Sequence, residues 1–102
     1  MRSPIACRLD LLTPEERRHE QALLATARGI LGRAVETARG YRFAVPPEFL
    51  GPLGELVALE RRCCPFLAFT LEVEPEQGGV SLEIHGDPAT RAFIAATFGP
   101  AA

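Results

Sequence analysis

Leu53-Gly54-Glu55-Leu56-Val57-Ala58-Leu59-Glu60-Arg61-Arg62-Cys63-Cys64-Pro65-Phe66-Leu67-Ala68-Phe69-Thr70-Leu71-Glu72-Val73 decides the fold. Proline disfavours the helical conformation at the residue before it and offers no amide hydrogen. A helix carrying Leu53, Leu56, Val57 and Leu59 therefore stops at Cys63 or Cys64. The run from Phe66 to Glu74 reads as a strand. The two cysteines sit at the corner between helix and strand.

At about 100° per residue, Phe49, Leu53, Leu56 and Val57 share one helix face. Glu60 falls near the middle of that face, Cys63 and Cys64 flank it one turn later, and Arg61 and Arg62 point outward. An acidic group on an apolar stripe costs free energy unless it is paired or protonated. Three readings stay open. In the first, both cysteines are small buried hydrophobes and Glu60 forms an ion pair, with Arg42 as a candidate partner. In the second, two adjacent thiols chelate a thiophilic metal or metalloid such as Cu(I), Zn(II), Hg(II) or As(III). Glu60, Arg61 and Arg62 then form the surrounding shell. In the third, a thiol does redox or nucleophilic chemistry. The negative end of the helix dipole and Glu60 both oppose the thiolate this needs. A Cys63–Cys64 disulfide between sequence neighbours would be strained.

Working outward, Ile5 to Leu11 alternates apolar and polar residues and predicts a half-buried first strand. This points Cys7 into the core, as packing or as a third thiol ligand. Thr13-Pro14-Glu15-Glu16 has the form of a capping box. The helix it starts carries Leu23, Leu24, Ala27, Ile30 and Leu31 on its apolar side. Its charged half, Glu15 to Gln21, is expected in solvent. Arg33–Thr37 and Tyr41–Val45 predict a hairpin, with Val35 on the side of Tyr41, Phe43 and Val45, and Gly40 at a positive φ. Pro52 suits the first turn of the second helix. Val80 to His85 pairs with the preceding strand across a turn at Pro75–Gly79 and buries Val80, Leu82 and Ile84. Asp87-Pro88 starts a last helix, with Phe93, Ile94, Thr97 and Phe98 inward.

The order β-α-β-β-α-β-β-α predicts an α+β two-layer sandwich, with about five mostly antiparallel strands and helices on one face. The other face would be polar, with Arg8, Asp10, Arg42, Ala44, Thr70, Glu72, Ser81, Glu83 and His85. Such a face, or an open sheet edge, suits a homodimer. Nothing in the sequence gathers His85, Glu83 and Arg42 around a pocket as an acid–base set.

The 102 residues suffice for a single α+β domain spanning 1–102, and the 47% hydrophobic content excludes a disordered chain. A net charge of −2 gives no reason to expect nucleic acid as a partner. All eleven cations are arginine and are scattered. Three cysteines, no CxxC spacing, no secretory signal and no apolar run of membrane length predict a cytoplasmic protein with reduced thiols and no membrane partner.

Leu59-Glu60-Arg61-Arg62-Cys63-Cys64-Pro65-Phe66-Leu67, with Phe69, Leu71, Glu72 and Leu82-Glu83-Ile84-His85-Gly86, resembles a family of small bacterial proteins with a Glu-Arg-x-Cys-Cys-Pro-Phe signature. The likeness runs from the first strand to the last helix. It implies no activity, since that family is uncharacterised. The Cys63-Cys64 pair is also similar to the vicinal cysteines of bacterial mercury-transport proteins. Those proteins are membrane-embedded, so that likeness implies ligand chemistry only.

Overall fold

The computed structural model describes residues 8–98. It is an α+β fold in two layers. Helix α1 (Pro14–Ile30) is followed by strands β1 (Val35–Glu36) and β2 (Gly40–Val45), helix α2 (Leu50–Cys63), strands β3 (Ala68–Val73) and β4 (Val80–His85), and helix α3 (Arg91–Phe98). The sheet has the order β1-β2-β4-β3, and every neighbouring pair is antiparallel. β4, the last strand among the described residues, thus lies between β2 and β3.

Local chemistry places the start of α1 and the end of α2 where the sequence puts them. The Thr13 hydroxyl accepts from the Glu16 amide at 3.1 Å, and the Glu16 carboxylate accepts from the Thr13 amide at 2.9 Å. This reciprocal pair satisfies donors that a helix start leaves orphaned. α2 begins at Leu50, earlier than Pro52, because a 3-10 turn over Pro47–Phe49 runs directly into it. It ends at Cys63, with Cys64 as the cap residue. α3 is likewise preceded by a 3-10 turn, Pro88–Thr90, and Asp87 makes no side-chain cap there.

The core contains Leu23, Leu24 and Ala27 of α1, Leu53, Leu56 and Leu59 of α2, and Ile94 and Phe98 of α3. These pack with Phe43, Val45, Val80, Leu82 and Ile84 of the sheet. Arginines bind the layers through backbone carbonyls. Arg91 donates to the carbonyls of Thr37 and Ala38, both at 2.9 Å, and tethers α3 to the β1–β2 turn. Arg28 donates to the Thr97 carbonyl at 2.8 Å, joining α1 to α3.

Four expectations need correction. The sheet has four strands among the described residues, not five. Leu9–Leu11 is a 3-10 turn, in which Leu11 and Leu12 donate back to Arg8 and Leu9, so its backbone is satisfied locally. Ile5 to Cys7 lie outside the described residues. Arg8 and Asp10 consequently pair with each other near the helices instead of lining the sheet. Second, Val35 pairs with Arg42 and shares its open face, 58% exposed, because the short hairpin shifts the register by one. Third, Ile30 is exposed, while Phe93 and Thr97 are half-buried. Fourth, Gly40 does not have a positive φ. Its requirement is space: a Cβ there would collide with the Ile84 carbonyl and lie 2.9 Å from His85 Cα. Left-handed backbone occurs instead at Glu76 and Gln77, φ 57° and 58°, in the β3–β4 turn.

Gly40→Ala is therefore expected to push β2 off β4 and cost at least about 1–3 kcal/mol, the usual range for overpacking. Urea unfolding of the variant beside the parent measures it.

Candidate functional site

α2 carries its C-terminal turn into the core. The Cys64 amide donates to the Glu60 carbonyl at 2.7 Å, the Leu67 amide donates to the Cys64 carbonyl at 3.1 Å, and the Arg8 amide donates to the Cys63 carbonyl. Three segments are thereby fixed at one corner. Pro65 starts the turn away from the helix, and Phe66 packs edge-on against Phe93, with ring centroids 5.1 Å apart.

Inside this corner lie Glu60, Cys63 and Cys64, all buried. Their ligating atoms lie within 4.8 Å of one another. The two sulfurs converge to 3.6 Å. Glu60 Oε2 faces both, 3.9 Å from Cys63 Sγ and 3.3 Å from Cys64 Sγ. Cys63 is a free thiol. Cys64 is disulfide-bonded. Cys7, the expected third thiol, lies outside the described residues.

Glu60 is 1% exposed. Its expected ion pair with Arg42 does not exist, because Arg42 projects from the opposite, open face of the sheet. The neighbour is instead Glu20 of α1, itself buried, and Glu60 Oε1 has no hydrogen-bond partner among the described residues. Burial first, and Glu20 second, hold the Glu60 carboxyl far above the ordinary carboxylate range. The same burial, followed by the charge of Glu60, pushes the Cys63 thiol up to about 12. A free, reactive thiolate is disfavoured here.

Glu20 is the residue the sequence reading missed, having been placed with the solvated half of α1. Its signal was present: Glu20, Leu23, Leu24 and Ala27 stand at the spacing of one helical face. Arg61 and Arg62 point outward as expected. Arg62 reaches Glu16 at 2.6 Å and the Leu11 carbonyl at 3.1 Å, so it ties α2 to α1 outside the sulfur cluster. Both sulfurs are enclosed. An open cavity of about 390 Å³ abuts Glu60, lined by Glu20, Glu60 and Arg28 with Leu9, Leu24 and Phe93 as apolar wall.

The other polar groups belong to the sheet. Glu83 accepts from Thr37 at 2.6 Å and from Arg39, and these two bonds hold its carboxyl below the ordinary range. His85 pairs with Thr70 at 3.1 Å. Comparison with family models, with curated proteins and with solved structures found no match to this chain. No helix among the described residues is long and apolar enough to cross a membrane.

Folded Glu60 keeps its proton where the unfolded chain has lost it, above about pH 4.3. The folded state then binds more protons, so this group makes stability fall as pH rises, by up to about 1.4 kcal/mol per unit. Glu60→Gln stays neutral. Denaturant unfolding at about pH 5 and about pH 8 should show a flatter profile for the variant and a stability above the parent at the higher pH.

Proposed function

We propose that the corner of α2 and β3 binds a thiophilic metal or metalloid ion through Cys63 and Cys64, with Glu60 as the adjoining oxygen group. The observation that carries this reading is the convergence of the two sulfurs. Two thiolates about 2.3 Å from one tetrahedral ion stand roughly 3.8 Å apart. The sulfurs here are 3.6 Å apart. The ion takes thiolates, so the binding form is the one in which the disulfide of Cys64 is reduced. Cys7 is the further candidate ligand.

The raised Cys63 pKa disfavours the free thiolate that attack on a substrate needs, which argues against redox catalysis. Coordination also neutralises the charge that burial penalises. A second reading, in which both cysteines are packing residues of a non-catalytic module, is favoured by their complete enclosure.

Thiol titration of the reduced native protein, with and without Zn(II), Hg(II) or As(III), separates the two. Stoichiometric protection by one ion, retained in native mass spectrometry and lost in Cys63→Ser and Cys64→Ser, is the expected result. Thiols that react only on unfolding, with no ion retained, assign both cysteines to the core. Because each coordinated thiol releases a proton, the apparent Zn(II) affinity should rise at least about tenfold per pH unit near neutrality. Competition with a chromophoric chelator reads this directly.

A further inference from the structure

The sheet ends in two unlike edges. β1 is two residues long, whereas β3 offers six and contains no proline. On the helix side of the sheet, Phe69, Leu71 and Val73 stand beside Ile84, Leu82 and Val80. The three β4 residues are buried, yet Leu71 is 43% and Val73 56% exposed. α3 packs on β2 and β4, and the helical layer leaves β3 largely bare. An apolar strip thus lies along a strand whose outer backbone groups have no neighbouring strand among the described residues.

We propose that a second copy of the chain fills this edge, its β3 pairing antiparallel with β3 about a two-fold axis through Leu71. An axis normal to the sheet keeps both helical layers on one side and brings like faces together. It allows registers centred on Thr70, Leu71 or Glu72. Centring on Glu72 sets two carboxylates opposite each other, which is destabilising. Centring on Thr70 leaves Val73 opposite Leu67, which its own chain already buries. Centring on Leu71 places Leu71 on its own counterpart and Phe69 on the partner's Val73. On the open face, Thr70 then meets the partner's Glu72, a hydroxyl donor against a carboxylate acceptor. The edge is self-complementary in both apolar and polar rows. The short β1 edge offers no comparable template, so the assembly closes at two copies instead of growing.

The inference is independent of the metal reading. Sedimentation velocity across a concentration series should show a monomer–dimer equilibrium. Leu71→Glu puts two carboxylates across the axis and should weaken the dimer at least about tenfold, a change of about 1.4 kcal/mol. Val35→Glu, on the opposite edge, should leave the equilibrium unchanged. Circular dichroism checks that Leu71→Glu remains folded. A Leu71→Cys variant supplies a second measurement: mild oxidation should give a covalent dimer, which Val35→Cys should not. A monomer at every concentration, or a dimer that survives Leu71→Glu and fails to cross-link through Leu71→Cys, overturns the proposal and leaves the strip to a partner of another sequence.

Discussion

A carboxylic acid held out of water at the end of α2 is the constraint on which the corner depends. Glu60 cannot be charged there without a counter-charge, and among the described residues no arginine supplies a hydrogen bond to it. The chain resolves this with a second carboxyl, Glu20, and with two sulfurs, the least demanding polar neighbours available. Such an arrangement costs stability relative to an apolar side chain of similar volume. The surrounding structure offsets that cost with ordinary core packing and with three backbone hydrogen bonds at the helix end. Only a fixed turn could hold Glu60, Cys63 and Cys64 within one ligand-sized volume.

Sequence patterns with a single physical solution read cleanly. Pro65 stops a helix wherever it stands, so the end of α2 was visible. The Thr13–Glu16 capping box and the alternation of Val80, Leu82 and Ile84 were equally plain. Glu60 showed itself as an acid on an apolar stripe. What was hidden depends on long-range partners. The alternation around Leu9 mimics a strand, but backbone bonds close it into a turn. The face of Val35 hinges on a one-residue register that a two-residue strand hardly encodes. Glu20 and Glu60 are forty positions apart, and no local rule pairs them.

The arginines illustrate the same limit. Read along the chain, they are scattered and suggest composition bias. In the fold, Arg28, Arg62 and Arg91 each bridge separate elements by donating to main-chain carbonyls. A planar, permanently charged fork suits carbonyls that have no other donor, and lysine would not replace it donor for donor. Their role was invisible because their partners are backbone atoms of distant segments.

The position of β4 imposes an order on folding. β2 and β3 each pair with all six of its residues, Gly40 and Ala68 both opposite His85, and Val45 and Val73 both opposite Val80. Neither strand has the other as a neighbour. A nascent chain that has emerged only as far as the β3–β4 turn holds two strands with nothing between them. The sheet cannot close until β4 slides into the gap, late in synthesis. Contacts that join residue 40 to residue 85 make for slow, non-local assembly. The apolar strands are thus exposed longest just when the chain is most open to wrong partners.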